Sequence, residues 1–332
     1  MEIILIGILL IISLALIWKG SDWITDSLIP VAKLMGTSYI AITTLIVSFA
    51  LSIPEIFTSV YAATLNHINI GLGVIIGSVM ANIGLTVGIS ASFKPLIVDK
   101  SIVVRDGIFL IIATVIVLLF GSDLTYQRTE GIVLLLLFLP YALNVWFFEK
   151  WRPKKSKSHE VKRLQKNLSL IGGLSKLKLK ASLLTFILGA VILVGGSYLF
   201  SVSLIRLNDT LRIPELLLGL TIGAIGPALP NIAAAIQGTR KGYKDAAITE
   251  TFGSNIFTLL ITLGLIIVLN PLRIADNVFY FDLTWMIVIN LLMVAFIFKG
   301  FYYKEESLTR YEGVALILFY LTLLVINILV FN

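Results

Sequence analysis

Cysteine is absent from all 332 residues, which removes disulfides, thiolate chemistry and cysteine-ligated metals from consideration. Histidine is nearly absent: His67 is one of two, and it is expected as a solvated residue in the short turn after the second hydrophobic run rather than as a metal ligand. Charge is scarce as well, with 14% charged residues against 58% hydrophobic ones and a mean hydropathy of +0.99. Such a composition excludes a soluble globular domain, whose surface would have to be mostly apolar, and leaves an integral membrane protein. No loop carries a nucleophile–base pair, a phosphate-cradling glycine loop or a metal-ligand cluster, so an enzyme is disfavoured. No cofactor, nucleic acid or obligate protein partner is expected; the lipid bilayer and inorganic cations are.

What the chain does have is a succession of apolar runs at about 3–18, 38–65, 68–93, 102–121, 130–149, 181–205, 214–238, 244–270, 277–299 and 310–331. Each is near the roughly 20 residues that cross a bilayer as helix. The first lacks the basic n-region and the A-x-A-like cleavage site of a signal peptide, and is expected to be a retained helix. The net charge of +7 is distributed unevenly. With the N-terminus and C-terminus outside a cell membrane, 22 of the 26 Lys and Arg fall on the cytoplasmic side, leaving Arg128, Arg206, Arg212 and Arg273 outside, as the positive-inside rule requires. Eleven of these cations lie between Lys150 and Lys180, the one long polar connection. It reads as a cytoplasmic linker, whose basic run serves topology or binds anionic lipid or a regulator.

A duplication organises the rest. Adding 176 carries Gly20-Ser21 onto Gly196-Ser197, Ser27-Leu28-Ile29 onto Ser203-Leu204-Ile205, Ile53-Pro54 onto Leu229-Pro230, Gly77-Ser78 onto Gly253-Ser254, Gly88 onto Gly264 and Pro95-Leu96 onto Pro271-Leu272. Five spans separate each position from its counterpart, so the second copy must enter the membrane from the opposite side. The expected fold is all-α, with ten transmembrane helices in two inverted five-helix repeats: 1–149, with its central repeat segment at about 38–93, and 181–332, with its segment at about 214–270, joined by 150–180. Such architecture belongs to transporters, with substrate near the midplane between broken helices. Pro54 in the second span, and Pro227 with Pro230 in the seventh, mark expected breaks, freeing carbonyls near Ala50–Leu51 and Gly226–Pro227.

Glu55 is read as the one carboxylate lying deep in a hydrophobic run within the first four spans, and an intramembrane acid is by default a functional-site residue. Ser48, Leu51, Ser52 and Thr58 share its span; Ser78 and Asn82, four apart, share one face of the next. In the second half the counterparts of Glu55, Ser52 and Asn82 are Asn231, Ala228 and Thr258, while Ser254 and Thr258 again share a face. Ala224 and Pro227 are candidates for backbone carbonyls or pathway positions. Glu250, one turn before Ser254, lines the access path or pairs with a loop cation such as Lys244.

The segments Ser52-Ile53-Pro54-Glu55-Ile56-Phe57-Thr58-Ser59 and Ile76-Gly77-Ser78-Val79-Met80-Ala81-Asn82-Ile83-Gly84 resemble the first α-repeat of the sodium/calcium exchangers in the Ca²⁺:cation antiporter superfamily. Gly20-Ser21-Asp22-Trp23, Gly226-Pro227-Ala228-Leu229-Pro230-Asn231 and Phe252-Gly253-Ser254-Asn255-Ile256 extend the resemblance over nearly the whole chain. It implies transported Ca²⁺ and Na⁺ (or H⁺), with Glu55, Ser52, Ser78, Asn82 and Ser254 keeping the ligand character of matching positions. It also exposes departures. Leu51-Ser52 and Pro227-Ala228 stand where Thr-Ser is usual, Asn231 replaces the acid of the second repeat, and Thr258 replaces the acid often found after Gly-Ser-Asn. Ca²⁺ affinity rises with the number of anionic ligands, and Glu55 alone would hold Ca²⁺ at net +1. The expectations are therefore Ca²⁺ antiport against Na⁺ or H⁺, a monovalent Na⁺/H⁺ exchanger, or a non-transporting divergent homologue.

Overall fold

The structure is a computed structural model and describes residues 2–35, 48–151, 179–240, 245–303 and 307–330. Because a bilayer offers no hydrogen-bond partners, each apolar run satisfies its backbone internally as helix. Among the described residues nine helices are long and apolar enough to cross: Glu2–Ile24, Ile68–Phe93, Lys100–Asp123, Arg128–Phe147, Leu184–Leu211, Glu215–Ala233, Ala247–Leu269, Val278–Tyr302 and Arg310–Val330. The expected second span, 38–65, is described from Ser48 onward, as two helical pieces, Ser48–Leu51 and Ile53–Thr64. Most of the 150–180 linker lies outside the described residues, as do Lys244 and residues 36–47.

The duplication is visible in local backbone geometry. The third span widens into a π-helical turn at Asn82–Val87 and the eighth does so at Thr258–Thr262, 176 residues on; the fourth and ninth do so at Val103–Gly107 and Val278–Leu283. Short β contacts repeat too. Leu96 and Leu308 exchange backbone hydrogen bonds of 2.9 and 3.1 Å. Their counterparts Leu272 and Tyr126 are partners in the antiparallel pair of strands β1 (Thr125–Tyr126) and β2 (Leu272–Arg273). Pairing Tyr126 with Leu308 needs an offset of 182, and the same offset carries Arg128-Thr129-Glu130-Gly131 onto Arg310-Tyr311-Glu312-Gly313. Glu130 accepts a hydrogen bond from the Gln127 backbone N–H at 2.7 Å, and Glu312 accepts one from that of Thr309 at 2.8 Å, so both helix starts are capped alike. The second copy therefore carries six extra residues between Asp282 and Leu308, a length change the ungapped repeat did not reveal.

Glycine sets how closely the repeats approach. A Cβ on Gly73 of the third span would lie 2.5 Å from the carbonyl oxygen of Leu216 and 2.9 Å from the Cα of Gly219, at the start of the seventh. The two backbones touch there, which only glycine on both sides permits. Of these nine helices, the third and eighth spans are the most enclosed.

Two expectations need correction. The seventh span is not broken at its prolines: Ala224–Arg240 runs as one helix through Pro227 and Pro230. The irregularity is the π-helical turn Gly219–Gly223 just before it, where a wider turn relieves the missing bond and ring clash that Pro227 imposes on Gly223. His67 is not a freely solvated residue either. It opens the third span and its Nδ1 lies 2.8 Å from the carboxylate of Glu215 at the start of the seventh, with each side chain about three-quarters buried.

Candidate cation site

Glu55 sits where the second span is interrupted. Ser52 falls between the two helical pieces with φ −85° and ψ −4°, and Pro54 occupies the first turn of Ile53–Thr64, where a missing N–H costs nothing. The break leaves Glu55 in the first turn of a new helix, whose positive end favours a carboxylate. Glu55 is fully buried, and neither of its oxygens has a hydrogen-bond partner among the described residues.

Around this point both repeats contribute oxygens. Ser52 Oγ lies 3.1 Å from Ser254 Oγ, joining the second span to the eighth. Asn82 donates from Nδ2 to Ser254 Oγ at 3.4 Å and to Asn255 Oδ1 at 3.0 Å. Asn255 in turn donates from Nδ2 to the carbonyl of Val79, its own counterpart in the first repeat, at 3.0 Å. That chain fixes both amides. Since the Asn255 N–H₂ faces a carbonyl, its oxygen must accept from Asn82, which leaves Asn82 Oδ1 free of partners. Ser78 Oγ, Thr258 Oγ1 and both polar atoms of Asn231 are likewise buried and without partners among the described residues. Asn231 is carried on Ala224–Arg240, which packs against Ile53–Thr64, Ile68–Ala81 and Ala246–Phe257. Ala224–Arg240 thus packs against the helices that carry Glu55, Ser78 and Ser254.

The remaining sequence candidates fall as follows. Leu51 and Pro227 are buried. Ala224 is buried against the third span, where a Cβ on Gly77 would meet its Cβ at 2.6 Å. Ser48 opens the helical piece Ser48–Leu51, and its side chain lies outside the description. Glu250 is buried at 7% exposure and has no hydrogen-bond partner among the described residues. Lys244, the alternative partner for Glu250, lies outside the described residues.

Sequence reasoning missed several participants. Asn255 was visible only as part of a Gly-Ser-Asn motif; its role in fixing Asn82 needs the packing of two helices distant in sequence. Ser201, which the sequence did not single out, donates from Oγ to Thr58 Oγ1 at 3.2 Å, tying the sixth span to the second. Asp106 is a second fully buried carboxylate of the first four spans, near the start of its span rather than deep in a hydrophobic run. It sits in the first turns of the fourth span and is held by both Nε and a terminal N–H of Arg105 at 2.7 Å each, so its charge is already matched. Its counterpart Asp282 is also fully buried and accepts from Asn327 at 2.9 Å. The offset of 176 would have paired these two acids.

Buried, unpartnered carboxylate, hydroxyl and amide oxygens are the donor types that suit hard cations. Among the described residues no three His, Cys, Asp or Glu form a group that could hold a resident metal ion. The sequence model of the family described as "Sodium/calcium exchanger protein" matches residues 5–147 and 181–329. The chain is 28% identical to the sodium/calcium exchanger MaX1 of Methanosarcina acetivorans, over 96% of this chain and 97% of that one. It is 29% identical to the putative antiporter CaxA of Alkalimonas amylolytica, over 81% and 80%. Among solved structures, the sodium-calcium exchanger NCX_Mj soaked with 10 mM Na⁺ and zero Ca²⁺ superposes with a TM-score of 0.69 at 25% identity, covering 100% of both chains.

Proposed function

Because the chain belongs to the sodium/calcium exchanger protein family, a family of multi-pass membrane transporters rather than enzymes, we propose that it exchanges Ca²⁺ for Na⁺ or H⁺ by alternating access around Glu55. The observation that carries this reading is a fully buried carboxylate without a partner among the described residues, at a helix break three residues after Ser52, whose hydroxyl meets that of Ser254 in the other repeat. A cation there would satisfy groups whose desolvation is otherwise uncompensated. Ser52, Ser78, Asn82, Asn231, Ser254 and Thr258 are its neutral ligands, and the carbonyls freed near Leu51 extend the set.

The same halves suggest how access alternates. Two five-helix units, 1–149 and 181–332, rock about the site they share. Charge distribution supports N- and C-termini outside and the linker in the cytoplasm.

A second reading, monovalent Na⁺/H⁺ exchange, is favoured by the neutral residues Asn231 and Thr258. Uptake of ⁴⁵Ca²⁺ into proteoliposomes, driven in turn by an outward Na⁺ gradient and a pH gradient, separates the two. Gradient-dependent uptake lost in Glu55→Gln supports Ca²⁺ antiport. Sodium flux under a pH gradient with no Ca²⁺ uptake moves the assignment to the monovalent exchanger.

A further inference from the structure

We propose that Glu250 is the second anionic ligand of this site, replacing the acids absent at Asn231 and Thr258, so that one Ca²⁺ exchanges for two monovalent cations without net charge movement. The inference rests on the antiporter reading and deepens it.

The first observation is positional. The counterpart of Glu250 in the first repeat is Val74, and the counterparts of Glu55 and Asn82 in the second are Asn231 and Thr258. Each half therefore carries one buried glutamate without a partner among the described residues, at positions that symmetry does not relate. The second is orientation. Glu250 precedes Ser254 by four residues on Ala246–Phe257, which places both on one helical face. Ser254 on that face reaches Ser52 at 3.1 Å and Asn82 at 3.4 Å. The third is burial without compensation. Both oxygens of Glu250 are buried and unpartnered among the described residues, as are both oxygens of Glu55. Two like charges sharing an enclosed space are tolerated only with a cation, or protons, between them.

Charge balance then constrains the cargo. Asn231, Thr258, Ser52, Ser78, Asn82 and Ser254 are all neutral, so Glu55 and Glu250 together supply two negative charges. One divalent cation balances them, as do two Na⁺ or two protons. A single Na⁺ leaves an uncompensated charge and three overfill it, and either is costly in a low-dielectric interior. Loaded states of equal charge make exchange electroneutral.

The test has two arms. In equilibrium ⁴⁵Ca²⁺ binding to the purified protein, Glu250→Gln is expected to weaken affinity about tenfold or more. Glu250→Gln with Asn231→Glu, which returns the acid to the mirrored position, is expected to recover most of that loss. Thermal melting checks that both variants are folded. In proteoliposomes, wild-type Ca²⁺ uptake is expected to keep its rate when a K⁺ diffusion potential of either sign is imposed with valinomycin. Binding by Glu250→Gln within about twofold of wild type, or uptake that accelerates several-fold with potential, would overturn the proposal. If Glu55→Gln loses binding while Glu250→Gln keeps it, the antiporter reading stands and this inference falls. If the wild type binds no Ca²⁺, both fall.

Discussion

The hydroxyls of Ser52 and Ser254, 202 residues apart in sequence, meet at 3.1 Å where a helix of the first repeat is interrupted. This contact lies between the repeats, and Asn82 adds a second tie to Ser254. The two serines are not equivalent, because Ser254 serves two partners and Ser52 one. Ser254→Ala should therefore weaken cation binding more than Ser52→Ala, with the difference about 1–3 kcal/mol, the usual penalty for leaving a buried donor unsatisfied. Calorimetric titration of both variants with Ca²⁺ measures it; equal losses would contradict the shared-partner role.

Among the described residues Asn255 reaches the site through Asn82. Asn255→Ala removes the acceptor that fixes the Asn82 amide and should lower cation affinity by about tenfold, the effect of losing roughly 1.4 kcal/mol of orientation. Asn255→Asp keeps the accepting oxygen while losing the bond to Val79, and should retain more affinity. The ordering of the two variants in ⁴⁵Ca²⁺ binding is the check.

The backbone contact between Gly73 and Gly219 leaves no room for a side chain. Gly73→Val should destabilise the protein by about 3 kcal/mol or more, since neither backbone can give way without moving a span. Gly7→Ala is the control, because a Cβ there meets nothing within 4 Å. Melting in detergent should separate the two by several degrees.

These contacts show what could and could not be read from the residues. The bilayer makes hydrophobic runs into helices, and an offset of 176 locates their inversion, so the fold and the place of Glu55 were legible. Whether the seventh span breaks at Pro227 and Pro230 was not, because a π-helical turn upstream absorbs the strain that residue type alone assigns to a kink. The Glu130 and Glu312 caps escaped notice because six extra residues shift their register. Asn255, and the pairing of His67 with Glu215, depend on which helices face one another, a relation that spacing along one chain does not contain.

The absence of cysteine makes introduced pairs clean reporters of topology. Thr125 and Arg273 face each other across the strand pair, and Leu96 and Leu308 form the equivalent contact after the third span. These contacts lie at opposite ends of the fourth span, Lys100–Asp123, roughly 36 Å apart along a helix of that length. Thr125→Cys with Arg273→Cys, and separately Leu96→Cys with Leu308→Cys, should each cross-link on oxidation. In intact cells an impermeant thiol reagent should block only the first; the reverse pattern would place the termini inside.

Acidification should weaken Ca²⁺ binding, because the carboxylates of Glu55 and Glu250 bind the ion only when deprotonated and protons compete for the same oxygens. Affinity should rise with pH until both are ionised and then level off. Glu55→Gln and Glu250→Gln should each flatten that profile, whereas Asp106→Asn, at an acid already matched by Arg105, should leave its shape unchanged.

The most direct test of a single cation site worked from both sides is Ca²⁺ self-exchange, which requires no knowledge of the counter-ion. Proteoliposomes loaded with unlabelled Ca²⁺ are diluted into ⁴⁵Ca²⁺ with no Na⁺ or pH gradient, with wild type and Glu55→Gln compared. The account predicts rapid label entering wild-type vesicles only when they contain Ca²⁺, and none above background in the variant. Wild-type vesicles that fail to exchange, or a Glu55→Gln variant that exchanges undiminished, would contradict it.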